Sequence, residues 1–335
     1  MENAAKVREY QGVDGRRFRE EIMAASEPAI LRGAAAHWPA VQAAATPQGI
    51  ADYLKARDTG AGFDMAVGAP AIKGRFFYNE EMTGLNFERR PATVSNLADQ
   101  LLAAAGEADP PTYAAQAIEA RASVPAFLDE NTLDLIGKAV SPRLWIGNRV
   151  IVSAHHDMFS NIAVVVAGRR RFTLFPPDQV ANLHIGPFEF TPAGTPVSLI
   201  DFDNPDFDCF PGFARALEAA QIADLERGDA LYIPYMWWHH VRALDPFSML
   251  ANYWWNEAPP AQPGLQPVDA LVHAFLAFSG LPDEQREAWA PMFAHMVFDK
   301  DAASHLPPGK SGIRGKLSDE SKRIIRQQMG ALMAR

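Results

Sequence analysis

Between Tyr113 and Trp255 the chain runs in short apolar segments, "RLWIGN", "NIAVVVAG", "RRFTLFPP", "DALYIPYMWW" and "SMLANYWW", closed off by Gly, Pro, Asn and Asp. Runs of this kind predict strands at close spacing. They recur without regular helical periods between them, which favours an antiparallel sandwich or barrel over a parallel sheet with crossover helices. A longer insertion, Asp178 to Arg227, interrupts them. Upstream the pattern is mixed, with extended runs at Ala29 to Gly33 and Arg75 to Asn79 and helical runs from Thr46 and from Val94. Downstream, "NEAPPAQPGLQP" stops the strands and the period becomes helical. Trp289, Met292, Phe293, Met296 and Val297 share one helical face, with Pro291 expected to bend or break the helix. Ser318 is the expected N-cap of a final helix.

These patterns divide the chain into an N-terminal α+β region over 1–112, a β core over 113–256 and a C-terminal helical unit over 257–335. The helical unit has an apolar face to bury. Packing on the barrel would do so, and so would a homodimer.

Composition narrows the function. The 335 residues are 48% hydrophobic, ordinary for a core-forming protein, and 31 basic against 40 acidic residues leave a net charge of -9. That balance argues against general nucleic-acid binding, so DNA is excluded as a partner and RNA is disfavoured. The single cysteine, Cys209, allows neither an intrachain disulfide nor a thiolate zinc site, and no apolar run approaches a membrane span. A cytoplasmic protein without a membrane partner is expected.

The candidate chemistry lies in "SAHHDMFSNIAVVVAGRRRFTLFPP". On a strand, residues i and i+2 project to one face, so His155 and Asp157 can point together while His156 points away. A third ligand must come from another strand, and "GDALYIPYMWWHHV" supplies His239 and His240. Two histidines and a carboxylate on one face of an octahedron suit non-haem Fe(II) and leave positions open for substrates. Adjacent histidines in an aromatic strand also occur as satisfied core pairs, and that alternative stays open. Arg170 shares the apolar strand face with Phe172 and Leu174, so it needs a partner: a bound dicarboxylate or a protein carboxylate.

These segments, with "EPAILRGAAAHWPA", "RFFYNEEMTGLNFERR" and "NYWW", resemble in sequence order the cupin-like branch of the Jumonji C (JmjC) oxygenases. That group contains the asparaginyl hydroxylase acting on hypoxia-inducible factor. The resemblance covers most of the chain and implies a mainly β fold with flanking helices, built on a double-stranded β-helix of the cupin or jelly-roll kind. It implies His155, Asp157 and His239 as ligands of Fe(II), with His156 and His240 as neighbours. It implies 2-oxoglutarate as cosubstrate, with Arg170 where the family has a lysine, and Asn161, Asn252 and Tyr113 as hydrogen-bonding residues beside Trp254. A family threonine falls on Val152, so that contact is absent or comes from Ser153. Trp237, Trp238 and Trp254 are expected in the pocket wall.

The implied activity is a hydroxylase acting on a protein or peptide side chain, with a small-molecule substrate open. A metal- or acid-binding cupin without turnover, or a metal enzyme that does not use 2-oxoglutarate, are the alternatives. "PPGKSG" lacks the first glycine and preceding strand of a P-loop. The run Asp201, Asp203, Asp206 and Asp208 lacks the glycine and glutamate of a calcium loop and is read as a solvated acidic segment.

Overall fold

The core has eight strands: β1 Arg143–Gly147, β2 Ile151–His156, β3 Ser160–Ala167, β4 Arg170–Phe175, β5 Gln221–Leu225, β6 Ala230–Ile233, β7 Trp238–Ala243 and β8 Ser248–Trp255. One sheet has the order β2-β7-β4-β5 and the facing sheet β1-β8-β3-β6, with every neighbouring pair antiparallel. Every connection except β4 to β5 crosses from one sheet to the other. The chain therefore winds as a double-stranded β-helix. The computed structural model describes residues 4–137, 140–256, 266–307, 309–315 and 318–333.

The N-terminal region extends these sheets. Ala5–Lys6 adds to β5; Arg8–Gln11 and Ala29–Arg32 continue beyond β6; Thr112–Glu119, Phe63–Gly68 and Phe87–Ala92 continue beyond β1. Residue 112 thus opens a strand, and residues 1–257 form one compact unit, with 258–335 a second. Phe87–Ala92, outermost in its sheet, carries Pro91, whose missing N–H is tolerated at a free edge.

Burial follows the layers. Between the sheets lie Val165, Phe172, Leu174, Leu231, Val241 and Leu250. The back of the larger sheet, with Val164, Val166 and Met249, is covered by Ile50, Leu54, Leu97 and Leu101 from helices Pro47–Lys55 and Val94–Ala104. Thr46 and Thr93 cap those helices by accepting from the N–H groups of Gly49 and Asn96. The outer face of the smaller sheet, with Ala154, Phe175 and Trp238, is covered by Leu183, Ile200, Phe202 and Phe213 from the insertion.

Two segments depart from the sequence pattern. Arg75 to Asn79 makes only isolated bridges, at Arg75 and Tyr78, because Asn86 takes its backbone groups: the Phe77 N–H donates to Asn86 Oδ1 at 2.8 Å and Asn86 Nδ2 donates to the Arg75 carbonyl at 3.0 Å. The insertion is shorter than expected, since β5 lies inside it. The acidic segment is partly paired: Asp203 binds Arg242, Asp201 lies 3.5 Å from Arg75, and Asp206 accepts from the N–H groups of Asp208 and Cys209.

In the second unit, helix Pro267–Phe278 places Phe278 against Trp289 and Phe293 of the short helix Trp289–Phe293. The helical run breaks at Ala288, in the turn before Pro291, whose ring nitrogen cannot bond the Glu287 carbonyl. The Ser321 N–H donates to Ser318 Oγ at 3.1 Å, the cap of helix Asp319–Met333. The proline-rich stop lies, over 257–265, outside the described residues, as does residue 308 of "PPGKSG".

Candidate active site

Register brings the candidate metal ligands together. In the β2–β7 pair His155 stands directly opposite His239, with ring centroids 4.3 Å apart, and Asp157 follows two residues on. One ligand atom from each of His155, Asp157 and His239 falls within 4.8 Å of the others. His155 Nδ1 lies 3.0 Å from the Ser153 carbonyl and His239 Nδ1 3.1 Å from the Trp237 carbonyl. A carbonyl only accepts, so each Nδ1 carries the proton and each Nε2 keeps its lone pair for a metal. Burial pushes the His239 imidazole well below its usual pKa, which keeps it neutral, as a ligand must be. Asn161 Nδ2, from β3, donates to Asp157 Oδ2 at 3.4 Å and so holds the carboxylate, while the Asp157 backbone carbonyl accepts from the Met236 N–H of the turn before β7 at 3.1 Å.

His155, Asp157 and His239 share a cavity of about 140 Å³ with Arg170, Asn252 and Trp254. Its walls are Trp145, Val152, Phe172, Val241 and Leu250. Arg170 is 6% exposed, and no carboxylate among the described residues pairs with it. Its sequence neighbours are paired outside the barrel, Arg169 with Asp245 and Arg171 with Asp224. Burial pushes the Arg170 guanidinium down to about 10, the mark of a cation without a counter-charge. Asn252 Oδ1 and Trp254 Nε1 are likewise buried without a hydrogen-bond partner. An acid bound beside the triad would accept from the Arg170 guanidinium and the Trp254 Nε1–H.

Several expected residues lie elsewhere. Tyr113 packs against the core behind the larger sheet, and Gln116 and Ala117 of the same strand line the cavity instead. The cause is a bulge between Ala115 and Ile118, with Ala117 at φ +54°, which turns Gln116 and Ala117 inward. Asn161 touches Asp157 but does not line the cavity. A second bulge, in β2, sets three steps from Val152 to His155 against two from Val241 to His239, so Val152 and His155 both face inward and Ser153 does not line the cavity. Trp237 fills the core between the sheets and Trp238 the outer layer; Trp145, opposite Leu250 on β8, makes the wall with Trp254, ring centroids 5.1 Å apart. The signal that could have found Trp145 is its place two residues from Gly147 in an apolar strand.

His156 and His240 face outward. His156 meets Trp238 edge-on at 4.6 Å. His240 stacks on Phe202 at 4.4 Å and lines a separate cleft with Arg75 and Arg242; burial and those arginines push it down to about 3.

Comparison with known proteins agrees with this geometry. A family model described as "Cupin-like domain" matches residues 15–261, and the chain belongs to this cupin-like family. The chain is 30% identical over 159 residues to tRNA wybutosine-synthesizing protein 5 of Gallus gallus, covering 44% of this chain and 47% of that protein. It is 34% identical over 115 residues to HSPB1-associated protein 1 of Mus musculus, covering 33% and 23% of the two chains. It is 30% identical over 133 residues to Lysine-specific demethylase JMJ31 of Arabidopsis thaliana, covering 39% and 23%. The chain spans less than half the length of each of these relatives. No helix among the described residues is long and apolar enough to cross a membrane.

Proposed function

We propose that the protein is an Fe(II)- and 2-oxoglutarate-dependent oxygenase, most simply a hydroxylase of a protein or peptide side chain. The observation that carries this reading is one cavity joining a His-Asp-His cluster to a buried arginine without a carboxylate partner. His155, Asp157 and His239 would hold the metal, and Arg170 would take the far carboxylate of the cosubstrate, a guanidinium offering two parallel hydrogen bonds to it. Fe(II) and 2-oxoglutarate, when bound, supply oxidative decarboxylation to succinate and CO2, with the second oxygen atom passing to the substrate. The chain's own part is to orient: Asn161 steadies the Asp157 carboxylate, the Trp254 Nε1–H offers a donor, and the apolar wall excludes water. A cytoplasmic site of action is supported by the single cysteine.

Purified protein given Fe(II), ascorbate and 2-oxoglutarate in air is expected to release succinate, and a mass-spectrometric search of peptide pools to show a +16 shift. Iron-loaded protein that releases no succinate with any substrate pool would defeat the reading. The tRNA named in the wybutosine-synthesizing relatives favours a second substrate class. A +16 shift found only in an RNA pool would favour that class over the peptide one.

We propose also that the second unit pairs with a second copy of the chain. Leu276, Val297 and Phe298 there are 67%, 62% and 78% exposed, an apolar surface that association would cover. Light scattering at micromolar concentration is expected to give a dimer, and Val297→Glu a monomer. A monomeric wild type would dispose of this proposal.

A further inference from the structure

Arg170 has three guanidinium nitrogens, and the described residues engage one. Its Nε–H donates to Ser248 Oγ at 3.1 Å, and Ser248, at the start of β8, is fully buried. Arg170 lines the metal cavity, whereas Ser248 stands behind it and does not.

The backbone around this pair is clamped. The Asp245 carboxylate accepts from the Arg169 N–H at 2.8 Å and from its side chain at 3.1 and 2.9 Å, and the Leu244 N–H donates to the Arg169 carbonyl at 3.0 Å. Gly168 turns the chain at φ +71°, where a Cβ would meet the Phe247 carbonyl oxygen at 2.8 Å. The root of Arg170 is therefore fixed against residues 244–248. Among the described residues, its flexible end is held only by Ser248.

A guanidinium can grip a carboxylate in two ways, through its two terminal nitrogens or through Nε and one of them. We infer that Ser248 positions Arg170 for the cosubstrate, occupying Nε so that the far carboxylate of 2-oxoglutarate is met end-on by Nη1 and Nη2. This rests on the oxygenase reading above. It makes Ser248 a positioning residue, acting through Arg170 without touching the ligand. A lysine would have no Nε–H to give, so the serine has a use here that follows from the arginine.

The test measures 2-oxoglutarate binding to Mn(II)-loaded full-length protein without oxygen, read by the fluorescence of Trp145 and Trp254 in the cavity wall. Ser248→Ala is expected to weaken binding roughly tenfold and also to lower the thermal midpoint measured without 2-oxoglutarate, because it leaves the buried Nε–H without its acceptor. Ser248→Cys, which keeps the volume but accepts poorly, is expected to weaken it similarly. In an Arg170→Met background Ser248→Ala is expected to add nothing. Either Ser248 variant binding as tightly as wild type, or an added loss in the Arg170→Met background, would overturn the positioning role while leaving the oxygenase reading intact. Wild-type protein that bound no 2-oxoglutarate would overturn that reading, and this inference with it.

Discussion

Replacing His155 or His239 by alanine is expected to abolish metal binding and succinate release together. Each removes one of three first-contact donors, and even residues that only support such donors cost about 10- to 100-fold in affinity. A loss beyond about 100-fold is therefore expected, measured by Mn(II) titration of the purified variant. The informative contrast is His156→Ala. That side chain packs on Trp238 in the outer layer, so its variant should keep the metal and lose only packing. Equal metal affinity in His155→Ala and wild type would remove the triad from the site.

The second large effect belongs to Arg170. Arg170→Met is expected to weaken 2-oxoglutarate binding at least about 100-fold, because a carboxylate left in an apolar cavity without its cation loses roughly 3 kcal/mol or more. The same change should make the ligand-free protein more stable. Burial lowers the guanidinium to about 10 from an ordinary 12.5, and at about 1.4 kcal/mol per pH unit its charged form weakens the fold by roughly 3 kcal/mol. The sign is that of a base with a lowered folded pKa: the penalty is full at neutral pH and fades as pH rises through about 10. Methionine fills much of the same volume without the charge. Thermal unfolding should show Arg170→Met melting above wild type without ligand, and only wild type gaining stability when 2-oxoglutarate is added to the metal-loaded protein. A variant less stable than wild type and still stabilised by 2-oxoglutarate would contradict both halves.

Much of this site could be read from period-two alternation. His155 and Asp157 had to share a face if their segment was a strand, and Arg170 had to share one with Phe172 and Leu174. What alternation cannot foresee is an extra residue. The bulge before Ile118 put Gln116 and Ala117 in the cavity and left Tyr113 outside it. The bulge in β2 decided that Val152, and not Ser153, lines the cavity. Trp237 and Trp238 were misplaced for another reason. Trp237, just before β7, is buried between the sheets, and Trp238 is buried on the outer face because the insertion covers it, so burial on both sides leaves neither tryptophan advertising its side. The outermost strand Phe87–Ala92 was hidden by its charges and its proline, which suit an edge.

The doubled histidines carry a hazard. If β7 slid by one residue against β2, His240 would stand opposite His155 and face inward, and a histidine pair would still stand beside Asp157. Ligand identity alone therefore discriminates poorly between the native pairing and its neighbour. The large apolar side chains discriminate well, since the slip would bring Trp238 into the space between the sheets and expel Trp237 and Val241 from it. In this chain the fidelity of the metal centre is guarded by tryptophans that never touch it.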